Sequence, residues 1–167
     1  MISITLDSRT ERETIALGEA LGARLKPGDV VALFGELGAG KTRLVRGIAA
    51  GMGIDAAAVS SPTYVLVQEY APVEGDGPLL VHLDAYRLSS ADWLASIGWD
   101  SLRDSAAVVV IEWADRVAAA LPTEALAITI EHAEHGRDAG SRRVLISGDS
   151  SWDERLRGLE SSPWSRR

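Results

Sequence analysis

Short apolar runs alternate with amphipathic stretches along this chain, and that rhythm sets a fold class before any motif is considered. Ile2-Ser3-Ile4-Thr5-Leu6 alternates with period two, which predicts an edge strand covered on one face. Thr10 and Glu13 then form an S/T-x-x-E capping box. Ile15, Leu17, Leu21 and Leu25 supply the apolar positions of a helix that ends at the turn Pro27-Gly28-Asp29. Val30-Val31-Ala32-Leu33-Phe34 is fully apolar, as in a strand buried on both faces. Leu44, Val45 and Ile48 continue as a helical face, which Gly51 and Gly53 close. Strand composition returns over residues 64–70, over 79–84 after a Gly- and Pro-containing turn, and over 107–111. A helix is expected from about residue 90 to 102, with Trp93, Leu94 and Ile97 facing the core, and a short helix from Asp115 to about Leu121-Pro122. Residues 126–131 and 143–147 read as a hairpin around the polar loop 134–142. Residues 1–148 then form one domain, and the serine-rich stretch 149–167 is expected to be a mobile tail with one helical turn near Leu156. Strands alternating with helices, plus a hairpin, predict an α/β three-layer sandwich whose sheet is mostly parallel.

Gly35-Glu36-Leu37-Gly38-Ala39-Gly40-Lys41-Thr42 fits G-x-x-x-x-G-K-[ST], and it lies between the apolar strand and the helix that such a loop requires. Its backbone N–H groups would wrap a nucleotide's phosphates, Lys41 would reach the β- and γ-phosphates, and the Thr42 hydroxyl would sit on Mg²⁺. The fold class therefore sharpens to P-loop NTPase-like. Hydrolysis also needs a held metal and an aimed water. Asp84 and Glu112 each end an apolar strand at the edge where open α/β sheets bind ligands. The residues alone leave open which of the two ligates the metal and which orients water. Thr63, in Ser60-Ser61-Pro62-Thr63-Tyr64, occupies the place of a switch that contacts magnesium or the γ-phosphate; the alternative is a Thr that merely starts a strand. Trp113 is placed to lay its indole against an adenine. His82 is expected to be a packed, hydrogen-bonded core residue. His132 and His135 have no third ligand with which to complete a metal site. Arg43, Arg46 and Arg87 form a phosphate or RNA patch or are simply solvated.

Composition narrows the alternatives. The length of 167 residues and 46% apolar content suit a single core. The net charge is 17 − 24 = −7, so no global positive field holds nucleic acid, and tRNA contact would be local or indirect. Cysteine is absent, which excludes disulfides and thiolate chemistry and suits a reducing cytosol. The N-terminus shows no signal-peptide pattern, and the apolar run 106–111 falls far short of the ~18 residues of a membrane span. A cytoplasmic protein without membrane contact is expected. The chain holds no asparagine, so it lacks the N-K-x-D guanine reader, and no aspartate is followed three residues later by glycine. Both absences argue against a GTPase. Two further readings of the phosphate loop stay open: a small-molecule kinase, and a nucleotide-gated binding module without meaningful hydrolysis.

Together with the phosphate loop, Arg46-Gly47, Ser61-Pro62-Thr63-Tyr64 with Leu66-Val67, His82-Leu83-Asp84-Ala85-Tyr86-Arg87-Leu88 and Ile111-Glu112-Trp113 resemble the bacterial TsaE (YjeE) family. The pieces stand in that family's order, and S-P-T-[FY] followed by H-x-D-x-Y-R is its specific part. The resemblance implies a small Mg²⁺-dependent ATPase that joins the TsaD–TsaB pair. That pair transfers a threonylcarbamoyl group to the tRNA adenosine beside the anticodon, and ATP hydrolysis sustains repeated turnover through conformational cycling. By position, the resemblance implies that Gly38, Ala39, Gly40, Lys41 and Thr42 bind the phosphates, that Thr42 and Glu112 bind Mg²⁺, and that Asp84 is a second essential carboxylate. Lys41, Asp84, Glu112 and Thr63 become the candidate catalytic set. Trp113 and the Gly136-Arg137 loop would lie near the nucleotide, and Glu11 close to the adenine. Arg43 stands where the family has a second Thr and adds a cation near the phosphates or a partner.

Overall fold

In a computed structural model, residues 1–61, 67–88, 92–133 and 140–161 are described. They form β1 (Ile2–Ser8), α1 (Glu11–Gly22), β2 (Val30–Phe34), α2 (Lys41–Gly51), β3 (Val67–Tyr70), β4 (Leu80–Asp84), α3 (Asp92–Ser96), α4 (Trp99–Arg103), β5 (Val108–Glu112), β6 (Leu126–His132) and β7 (Arg142–Gly148). Among the described residues the strands make one sheet in the order β1-β7-β6-β2-β5-β4-β3. The neighbours β6, β2, β5 and β4 run parallel, whereas β7 is antiparallel to both β6 and β1, and β3 is antiparallel to β4. It follows that β1 points the same way as the parallel centre, and only β7 and β3 are reversed. The mostly parallel sheet with a hairpin is as the sequence predicts.

Alternate residues of the central strands feed two separate cores. Val31, Leu33, Val108, Val110, Ile128 and Ile130 face Leu17, Leu21, Leu44, Val45 and Ile48 of α1 and α2. Val30, Ala32, Val81, Leu83, Val109 and Ile111 face Leu88, Leu94, Trp99, Ala114 and Val117 on the other side. Being apolar on both faces, these strands have no polar alternation, which is why their runs are continuous in the sequence. The edge strand β1 instead buries only Ile4, Leu6 and Ser8, one face of a period-two strand.

Helix α1 opens as its capping box requires. The Glu13 amide donates to Thr10 Oγ1 at 3.2 Å, and the Glu13 carboxylate accepts from the Arg9 amide at 2.7 Å, one residue earlier than in the usual box. Helices α1 and α2 then cross at backbone contact. A Cβ on Gly18 would lie 2.4 Å from the Leu44 carbonyl oxygen, one on Gly22 would lie 2.2 Å from that of Ile48, and one on Gly47 would lie 2.1 Å from that of Ile15. No side chain fits between these helices, so the start of α2 is held at a fixed height over the sheet.

Three expectations are corrected. The helix over 90–102 is two short helices, because Gly98 takes the left-handed conformation (φ 77°) and ends the first before α4 begins. Its core anchor is Trp99, whose indole N–H donates to the Ala120 carbonyl at 3.2 Å. Leu94 is buried as expected, and the Trp93 side chain lies outside the described residues. The short helix from Asp115 is a 3₁₀ segment over Ala114–Ala120. Finally, residues 149–161 are not a free tail. Trp152, Leu156 and Leu159 are 1%, 1% and 0% exposed in the same core as α1 and α2. Trp152 Nε1 donates to the Glu124 carbonyl at 2.9 Å, and Arg155 pairs with Asp29 while lying 3.9 Å over the Trp152 ring. The buried indole with its N–H satisfied, the two leucines and the Arg155–Asp29 pair together offset the ordering entropy of the segment. Residues 162–167, with Trp164, lie outside the described residues. Among the described residues no helix is long and apolar enough to cross a membrane.

Candidate functional site

At its carboxyl end, β2 runs into a loop whose glycines adopt conformations closed to other residues. Gly35 sits at φ 136°, where a Cβ would come within 2.3 Å of the Ile130 carbonyl oxygen, and Gly38 and Gly40 follow at φ 78° and 110°. Gly40 is also the N-cap of α2 and offers no side chain to its amides. Thr10 caps α1, so the two helices differ: α2 presents unpaired N–H groups and the positive end of its dipole to whatever lies in the loop. Arg142, at the start of β7, tethers the loop from outside, its Nε donating to the Ala39 carbonyl at 2.9 Å with a longer 3.4 Å contact to Gly38. The sequence reading missed this residue. A contact across more than a hundred positions leaves no local signal.

Lys41, the first residue of α2, is 4% exposed. Its ammonium donates to the carbonyls of Gly35 at 2.6 Å and Glu36 at 2.9 Å and lies 3.7 Å from the centre of the Trp113 ring. Burial lowers its pKa, and the charges of Glu112 and Asp84 oppose that shift. Trp113, expected against a base, thus stands over the phosphate-loop lysine, with Tyr86 tilted against it at 4.8 Å. Among the described residues it is the sole non-glycine with positive φ, at 58°, which costs of order 1–3 kcal/mol and turns the ring back over the loop.

Neighbouring strands bring in the acids. In the β4–β5 register Asp84 stands opposite Glu112, and both are buried, at 6% and 3% exposure. The Thr42 hydroxyl donates to Glu112 Oε1 at 2.8 Å, and His82 Nε2 lies 2.8 Å from the same oxygen. Asp84 Oδ1 accepts the Tyr86 amide at 2.8 Å. Burial raises the Asp84 pKa, the Tyr86 amide works against that, and the Glu112 charge adds to it. Lys41, Thr42, Asp84, Glu112 and Trp113 line one cavity of about 390 Å³ with Gly38 and Gly40. A larger cavity, about 770 Å³, opens past Gly35, Glu36 and Trp113, but it contains neither acid nor the lysine.

Glu11 reaches the same region through its ion pair with Arg43, which stands next to Thr42. Arg46, the other cationic neighbour, spends its Nε on the Val59 carbonyl at 2.9 Å. Thr63, Gly136 and Arg137 lie outside the described residues. As a metal site, the Thr42 hydroxyl and the Glu112 carboxylate are hard oxygen donors within 2.8 Å of each other. Mg²⁺ takes one or two such groups from a protein and fills its octahedron with phosphate and water, so this pair fits it. Among the described residues no cluster of three or more acid, histidine or cysteine ligands offers another metal site.

A buried parallel strand running through a glycine turn into an uncapped helix, with acids ending the strands beside it, defines a P-loop-type α/β protein. Within that class the chain belongs to the TsaE family: residues 8–143 match the family model described as threonylcarbamoyl adenosine biosynthesis protein TsaE. It is therefore a protein of tRNA threonylcarbamoyladenosine biosynthesis. The tRNA threonylcarbamoyladenosine biosynthesis protein TsaE of Streptomyces coelicolor is 43% identical over 134 residues, covering 79% of this chain and 88% of that one. The Bacillus subtilis protein of the same name is 41% identical over 122 residues, covering 72% and 73%. The crystal structure of Bacillus subtilis YdiB superposes with a TM-score of 0.74 at 27% identity, covering 96% of this chain and 95% of that one.

Proposed function

We propose that this chain is the Mg²⁺-dependent ATPase subunit that supports threonylcarbamoyl transfer by a TsaD–TsaB complex in the cytoplasm. The observation that carries the reading is the convergence of Lys41, Thr42, Asp84 and Glu112 on one cavity at the mouth of an uncapped helix. Loop amides and the α2 dipole would hold the β- and γ-phosphates, and an incoming γ-phosphate would replace the Gly35 and Glu36 carbonyls as acceptor for Lys41. Thr42 and Glu112 would hold Mg²⁺, which when bound neutralises charge on the phosphate oxygens. Asp84, with its raised pKa and one oxygen fixed by the Tyr86 amide, suits orienting the attacking water. By the resemblance to the family, Thr63 would serve as part of the switch, and Gly136 and Arg137 would lie near the nucleotide.

Both arginines lining the cavity are committed, Arg43 to Glu11 and Arg46 to the Val59 carbonyl. Each thus has a protein partner in the ligand-free chain, whereas an arginine placed on the transferring phosphate is worth 10³–10⁵ in related enzymes. Turnover alone should therefore be slow, with a partner supplying the missing cation. Phosphate release should rise at least tenfold when TsaD and TsaB are added together. An unchanged rate in their presence would remove the subunit reading, and transfer of phosphate to a metabolite would favour a kinase.

A further inference from the structure

His82 lies in the middle of β4 with no exposure, opposite Val110 and two pairs before the Asp84–Glu112 pair. Residues 80, 82 and 84 share a face of the sheet with residues 108, 110 and 112, so the imidazole reaches diagonally to the Glu112 carboxylate. Its Nε2 lies 2.8 Å from Glu112 Oε1, and its Nδ1 has no hydrogen-bonding partner among the described residues. A carboxylate oxygen accepts, so Nε2 carries the proton. The nitrogen left bare is then an acceptor, which is tolerated better than an orphaned N–H.

This is an uneconomical way to fill a core position. An apolar side chain of the same size would leave no buried polar atom unpaired. What the imidazole contributes is a fixed carboxylate. Thr42 and His82 both donate to Oε1 of Glu112, one from α2 and one from β4. Two donors on one oxygen, from two rigid elements, restrict the carboxylate and leave its Oε2 engaged by neither of them.

We propose that His82 is a positioning residue: it orients the Glu112 carboxylate through Oε1 so that Oε2 meets the metal of the bound nucleotide. The proposal rests on the nucleotide reading above. Partners of this kind change metal affinity or activity by ~10–100-fold when removed.

Two substitutions separate positioning from packing. Gln carries its amide nitrogen as many bonds from Cβ as His carries Nε2, so His82→Gln keeps the donor. His82→Met puts a methyl group there, with similar volume and no donor. Binding of a fluorescent, non-hydrolysable ATP analogue is titrated with Mg²⁺ for each chain, alongside KM and kcat, and urea unfolding confirms that each is folded. His82→Met should need ~10–100-fold more Mg²⁺ and lose kcat by a similar factor, with binding in the absence of Mg²⁺ within twofold of wild type. His82→Gln should stay within about threefold of wild type in every readout. Equal losses in both variants, or an unchanged Mg²⁺ requirement in His82→Met, overturn the proposal. A wild-type chain that binds no analogue defeats the nucleotide reading instead. Nitrogen-15 NMR of the ligand-free protein then still reads the geometry itself: His82, assigned by its loss in the variants, should be protonated at Nε2 and bare at Nδ1. The opposite tautomer overturns the role.

Discussion

Asp84 gives the site its pH signature. Burial, and the Glu112 charge beside it, make its carboxyl hold its proton in the folded chain at a pH where the unfolded chain has released it. The folded state therefore binds more protons within that window, and stability falls as pH rises through it. Above the window the whole penalty is present. Asp84→Asn keeps an oxygen for the Tyr86 amide and removes the charge. The ligand-free variant should melt at a higher temperature than wild type at pH 7, the gap closing toward pH 4, while ATP turnover falls by ~10²-fold or more. A variant that melts lower at pH 7 would show that the Asp84 charge stabilises the folded chain. Trp113 and Lys41 tell a similar story, since a left-handed tryptophan over a buried ammonium belongs to a strained site rather than to a packed core.

Among the elements, the α1–α2 crossing sets the site's geometry. Gly18 and Gly22 in α1, and Gly47 and Gly51 in α2, recur at a spacing of four, so each helix has a side-chain-free stripe, and a Cβ at any of them would come within 2.4 Å of a backbone oxygen across the interface. Overpacking a core costs 1–3 kcal/mol and occasionally more, and here backbone must move against backbone. Gly47→Ala should lower stability by about 3 kcal/mol in urea unfolding, although alanine favours a helix by about 1 kcal/mol. A loss below 1 kcal/mol would mean that the two helices part freely. The glycine spacing was legible in the sequence and was read there only as a helix end at Gly51 and a family match at Gly47. The strands were legible because burial on both faces leaves unbroken apolar runs. The break at Gly98 was not, since an isolated glycine within a helical pattern does not announce which conformation it takes.

For the whole molecule, local pattern served the site well and the chain's end badly. Lys41, Thr42, Asp84 and Glu112 were readable because the lysine and threonine open α2 and the two acids end β4 and β5, and a parallel sheet gathers such ends at one edge. Trp152, Leu156 and Leu159 carry a helix-like spacing among serines and charges, and their burial depends on a surface built by α1 and β6, which no local window contains. Arg142 and His82 act across the fold in the same way, one on the phosphate loop and the other on Glu112. The proposed function gives residues 35–42 the grip on a triphosphate. Titration calorimetry with a non-hydrolysable ATP analogue, with and without Mg²⁺, examines that grip in the isolated chain. Wild type should bind one analogue per chain, far more tightly with Mg²⁺. Lys41→Ala should bind about ten- to a hundredfold more weakly, the worth of one charge-assisted hydrogen bond. No binding by wild type in the presence of Mg²⁺, or identical isotherms for the two proteins, would contradict it.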